Sequence, residues 1–104
     1  MMITIDNCEF HRLERLGKLS FTNTEYTYEA SDFYTDLRLL VDCYNDWERE
    51  QKRREEFDLM GRPYLYKDKT WERFVIMYEH IDKLVHGKLE DYLPALLRKT
   101  PGVY

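Results

Sequence analysis

The chain has little that could brace a small protein from outside its core. Cys8 and Cys43 are the only cysteines, far apart and in no C-x-x-C pair, which argues against a disulfide framework or a zinc knuckle and reads as two reduced cytosolic thiols. Gly17, Gly61, Gly87 and Gly102 stand alone, so neither a G-x-G-x-x-G turn nor a P-loop is available to cradle phosphates. Nowhere do 18 apolar residues run together, and Met1-Met2-Ile3-Thr4-Ile5-Asp6 lacks the basic and apolar regions of a leader. A cytoplasmic protein away from the membrane is therefore expected. An excess of base is missing too. The net charge is −4, and residues 19–47 carry six acids (Glu25, Glu29, Asp32, Asp36, Asp42, Asp46) against the single base Arg38, leaving only plus one elsewhere. The broad basic footprint of a general duplex-DNA binder is absent.

What is present suffices for one core. At 104 residues, with 43% hydrophobic and 15% aromatic content, the chain can offset its own entropy as one domain, 1–104, while 35% charge keeps its exterior wet. Ile3 and Ile5 alternate with Thr4 as a short strand, and Asp6 with Glu9 three residues on has the form of a capping box. Phe10, Leu13 and Leu16 follow at helical spacing, and Gly17 suits the position just past a helix end. Residues 18–29 alternate Leu19, Phe21, Tyr26 and Tyr28 with polar residues around Asn23-Thr24, the pattern of a β-hairpin. The amino-terminal strand is expected to join this hairpin in one three-stranded antiparallel sheet.

Residues 31–58 read as one long helix with Ser31 as N-cap. Phe33, Leu37, Leu40, Val41, Tyr44 and Trp47 recur at helical spacing, and then Glu48 to Glu56 place charge on every face, so core contact should end near Trp47. Such a helix is about 42 Å long, against a radius of gyration of about 13 Å for a compact chain of this size. Part of it projects, or it breaks. Gly61-Arg62-Pro63 marks a reversal. Asp68 or Thr70 can cap a second helix over 70–86, antiparallel to the first and ending at His86-Gly87. A short helix over 91–99, capped by Asp91 with Pro94 in its first turn, precedes a loose tail. The expected fold is α+β: a small sheet packed on an antiparallel helix pair, closed by a short third helix.

Three groups of residues could carry function. At about 100° per residue, Asp32, Asp36, Asp42 and Asp46 fall within about 120° of one another on the long helix. With Glu25, Glu29, Tyr26 and Tyr28 they form a carboxylate and phenol surface suited to a basic groove on another protein. The bland reading is a solvated acidic face with its tyrosines turned inward. Lys52, Arg53 and Arg54, with Tyr64, Tyr66, Lys67 and Lys69, could instead contact a phosphate backbone and stack on bases. However, Glu48, Glu50 and Glu56 lie one turn from the first cluster and can neutralise it as ordinary helix ion pairs. Glu79, Asp82 and His86 share a helix face at ligand spacing, but metals need further converging donors that the sequence does not supply, so no metal or other cofactor is expected. Cys43 falls on the apolar side of the long helix as a small core residue, and no nucleophile is placed against His11, His80 or His86 in a recognisable pattern.

The leading expectation is therefore a non-enzymatic protein-binding protein: an inhibitor, regulator or adaptor docking on a larger protein, such as a nucleic-acid-binding enzyme, in one version as a nucleic-acid mimic. A small nucleic-acid-binding module and a metal-dependent small enzyme are the alternatives, and self-association through the long helix is open. In style, a short, acidic, tyrosine-rich chain without catalytic motifs resembles the small accessory inhibitors and regulators that phages and mobile elements encode, a likeness that carries over no individual residue.

Overall fold

The computed structural model describes residues 2–61 and 69–100, with Asp58 and Thr100 seen through their backbone only. Its elements run β1 (Met2–Ile5), α1 (Asn7–Arg15), β2 (Phe21–Thr22), β3 (Thr27–Tyr28), α2 (Ala30–Leu59), α3 (Lys69–Leu84), α4 (Leu89–Leu96) and β4 (Leu97–Thr100). The arrangement is α+β, as the sequence indicates, with a short carboxy-terminal helix.

Asp6 starts α1 by accepting the Glu9 backbone N–H on Oδ1 at 3.1 Å, the first half of a capping box. The second half is not made, because the Asp6 N–H donates to the Leu96 carbonyl at 2.7 Å and the Glu9 carboxylate turns to Arg12 instead. The helix ends where Gly17, at φ +72°, lets the Gly17 and Lys18 N–H groups reach back to the Glu14 and Leu13 carbonyls. Phe10 and Leu13 go into the core, but Leu16, expected beside them, caps the helix and is exposed.

The sheet differs from expectation. β1 does not join the hairpin; it pairs antiparallel with β4, Ile3 opposite Lys99 and Ile5 opposite Leu97, while β2 and β3 form a separate two-stranded ladder with Phe21 opposite Tyr28. Residues 97–99, expected at the end of a helix, and Thr100, expected in the tail, are therefore strand; residues 101–104 lie outside the described ones. Pairing explains the change. Asp6 N–H to Leu96 O continues the β1–β4 ladder up to the first turn of α1, and Arg98 Nε donates to Asp6 Oδ2 at 2.6 Å, so the two ends of the chain clamp one residue.

α2 is continuous over 30 residues, about 45 Å, and gives the molecule its 52 Å long axis and a radius of gyration of 16.3 Å. It begins at Ala30, with the Phe33 N–H bonding the Glu29 carbonyl, so Ser31 lies inside the first turn and is not the cap. Phe33, Leu37, Leu40 and Val41 are buried, and among the described residues of α2 none beyond Asn45 is. α3 packs antiparallel against it: ring centroids lie 4.9 Å apart for Trp47 and Trp71 and 5.7 Å for Tyr44 and Phe74. α2 thus runs on past the first turn of α3 by about ten residues, its core contact ending where charge takes over. The break at residues 62–63 and the Asp68 cap lie outside the described residues; Thr70 is within α3.

α3 closes with His86 in the left-handed region at φ +60°, its N–H bonding Lys83 O and the Gly87 N–H bonding Asp82 O at 2.7 Å. α4 starts two residues earlier than expected. Its cap is not Asp91 but a long-range one: Asp82 Oδ1, from α3, accepts the Leu89 N–H at 3.1 Å. Pro94 consequently falls sixth in the helix, where its missing N–H leaves the Glu90 carbonyl without a helical donor. Leu89 and Leu96 join Phe10, Leu19, Phe21, Tyr28, Phe33, Leu37, Leu40, Ile81 and Val85 in one core.

Candidate functional site

The acidic flank is built on the rigid part of α2, where Phe33, Leu37 and Leu40 fix the helix from the opposite side. Asp32, Asp42 and Asp46 are exposed. Asp36 is half-buried and partly used, since the Tyr28 hydroxyl donates to its Oδ2 at 2.6 Å. Burial, then the Asp36 bond and the nearby carboxylates, push the Tyr28 phenol far above its usual range. Tyr28 is thus a core residue that anchors the flank from beneath and offers no surface to a partner. Tyr26, at 51% exposure, and Glu25 stay on the outside at the hairpin tip, and Glu29 is exposed where β3 passes into α2. Asp46 holds an ion pair with Arg49 at 2.5 Å, a solvent-exposed contact worth little to stability.

At the centre of the flank lies an apolar residue that composition does not flag. Leu39 falls within the arc of the four aspartates and is 46% exposed. Beside it Cys43, expected in the core, is half-buried in a shallow pocket of about 410 Å³ shared with Arg73, Ile76, Met77 and His80 of α3. Burial raises the Cys43 thiol pKa, Asp46 and Asp42 add to the rise, and Arg73 opposes it. The shift favours the protonated thiol over the nucleophilic thiolate. Ile76 is 67% exposed at the same level. On α3 the outward residues Lys69, Arg73, Ile76, His80 and Lys83 fall within about 80° of one another. This stripe was legible as a helical wheel, but the sequence does not say that it borders the acidic flank.

The other candidates are only partly within view. Lys52 and Arg53 are exposed and Arg54 half-buried, with Arg53 paired to Glu50 at 3.5 Å. Lys69 opens α3 and is exposed, while Tyr64, Tyr66 and Lys67 lie outside the described residues. Of the metal candidates, Asp82 caps α4 and the His86 ring packs edge-on against Phe21 at 6.0 Å, on a turn after α3 and not on its face. Glu79 is exposed, and among the described residues no three histidine, cysteine or acidic side chains converge as ligands.

Asn45 is a polar residue that sequence reading passed over. It is 8% exposed, its Oδ1 accepts the Ile3 N–H at 2.8 Å and its Nδ2 donates to the Ile3 carbonyl at 3.0 Å. The side-chain amide thus acts as one residue of a neighbouring strand on the edge of β1 that faces away from β4. Among the described residues no helix is long and apolar enough to cross a membrane. The sequence matches no known protein family, and neither a curated protein nor a solved structure is detectably similar to it.

Proposed function

We propose that this chain is a non-enzymatic binding protein, an inhibitor, regulator or adaptor, that docks on a larger protein through the outer face of α2. The observation that carries this reading is Leu39, an exposed leucine ringed by Asp32, Asp42 and Asp46 on a helix immobilised by its opposite face. An apolar anchor within a charged rim on a rigid element is the anatomy of a protein interface, since the anchor supplies burial and the rim supplies orientation and rate. Asp32 to Asp46 spans roughly 21 Å along the helix axis, enough to follow a basic groove, and mimicry of nucleic acid is the form this takes if the partner is a nucleic-acid-binding enzyme.

The test is capture from a lysate of the organism that encodes the chain, with the tagged protein compared with its Asp32→Lys/Asp42→Lys variant. Asp36 is left intact because it supports Tyr28. Proteins held through the flank are lost in the variant, and are lost from the parent as salt rises from about 0.05 to 0.5 M and shortens the screening length. A captured set unchanged by both treatments refutes the assignment of the flank.

A further inference from the structure

The ring contacts between α2 and α3 set their register: Trp47 lies level with Trp71 and Tyr44 with Phe74. Extending that antiparallel register sets Asp42 level with Ile76, and Asp46, Leu39 and Asp36 each within one residue, about 1.5 Å, of the level of Arg73, His80 and Lys83. One face of the molecule therefore carries two parallel stripes, acidic around Leu39 on α2 and basic around Ile76 on α3. Among the described residues Asp42, Arg73 and Lys83 form no ion pair, while Asp46 is held by Arg49 of its own helix in an exposed contact that a second cation can exchange at little cost. A partner that is uniformly basic matches only one stripe.

We propose that this face seats a second copy of the chain, in an isologous dimer whose two-fold axis runs parallel to the helix pair. The inference rests on the reading of α2's outer face as a docking surface and names one of its occupants. Rotation about that axis exchanges left and right while leaving levels along the helices unchanged, so α2 of one copy lies over α3 of the other. Asp46 then meets Arg73 of the second copy, and Leu39 lies between Ile76 and His80. The edges agree as well. Arg38, on the outer border of the acidic stripe, comes over Glu79, on the outer border of the basic one. The alternative in-plane axis, perpendicular to the helices, stacks acid on acid and base on base and is disfavoured by repulsion.

The contact is modest. Sixteen residues of α3 give a footprint of about 24 by 20 Å, roughly 500 Å² per copy, at the small end of specific interfaces, so the dimer is weak, salt-sensitive and concentration-dependent. Because the acidic flank lies inside it, self-association and docking on another protein exclude one another, and dissociation frees the flank.

Sedimentation equilibrium of the full chain tests this directly. At low salt the average mass should rise from 12.8 kDa towards twice that value with increasing concentration, and fall back at about 0.5 M salt. Arg73→Glu and Asp46→Lys each place like charges at two symmetry-related contacts and should weaken the dimer about tenfold or more. An equimolar mixture of the two restores both contacts and should form a heterodimer. Lys83→Glu is a second basic-stripe variant should Arg73→Glu fail to fold. A parent chain monomeric up to about 1 mM at low salt, or folded variants that stay monomeric when mixed, would overturn the dimer. A monomeric parent whose captured proteins still depend on Asp32 and Asp42 removes the dimer and keeps the docking reading; a dimer whose captured set ignores those residues does the reverse.

Discussion

Replacing Asn45 with alanine should release β1 from the long helix and cost about 2 kcal/mol. Two hydrogen bonds disappear, Ile3 N–H to Oδ1 at 2.8 Å and Nδ2 to Ile3 O at 3.0 Å, each worth about 0.5 to 1.5 kcal/mol net. The Ile3 groups left behind are only half-buried, so water recovers part of their hydration and the penalty of about 1 to 3 kcal/mol for an unsatisfied buried group applies incompletely. Alanine also propagates a helix better than asparagine, by about 0.6 kcal/mol, which offsets some of the loss. Against a total stability of about 5 to 15 kcal/mol, the remainder should lower the urea midpoint by about 1 to 2 M with little change in slope. Hydrogen exchange should locate the effect in residues 2–5 and 97–100, because a two-stranded ladder without its helix anchor is marginal. Asn45→Asp makes the sharper comparison: the carboxylate still accepts from Ile3 N–H but opposes Ile3 C=O, so the variant should be unstable at neutral pH and recover as the acid protonates and can donate. A loss below about 0.5 kcal/mol in the alanine variant, with β1 protection unchanged, would refute the claim that Asn45 completes the edge of the strand.

Two further outcomes follow from the titrating groups. The Tyr28 phenol is held neutral in the fold, so its contribution is complete below about pH 10, the unfolded value, and is lost as pH rises towards the higher folded one. Tyr28→Phe should cost about 1 to 2 kcal/mol at neutral pH by deleting the bond to Asp36, and should flatten the fall in melting temperature above pH 10; an alkaline limb identical to the parent's would show that Tyr28 does not carry it. Asp6 is lowered first by the Glu9 N–H and then by Arg98, so its contribution is present above about pH 4 and declines as pH falls through the folded value. Asp6→Asn should flatten the acid limb of a melting-temperature profile, whereas an unaltered limb would mean that the clamp between α1 and β4 is not formed in solution.

The parts of this fold that could be read in advance are those whose cause lies within a few residues. Asp6 caps a helix because its carboxylate reaches the backbone N–H three positions on, Gly17 ends it because a left-handed residue is needed there, and Phe33, Leu37 and Leu40 bury one side of α2 because they share a face. What could not be read depends on residues brought together from far along the chain. β1 chose β4 over the nearer hairpin because Leu96, Arg98 and Asn45 satisfy its backbone and its flanking aspartate from three directions, and no local pattern announces such a pairing. The same reasoning bears on the candidate site. The acidic arc was visible as periodicity within one helix, but what borders it, Arg73 and Ile76 in the pocket beside Cys43, is set only once Trp71 has met Trp47. A flank of carboxylates alone would fit any basic surface; bordered by a basic stripe in antiparallel register, it would meet, in the dimer proposed above, a surface that presents the same two signs in the opposite order.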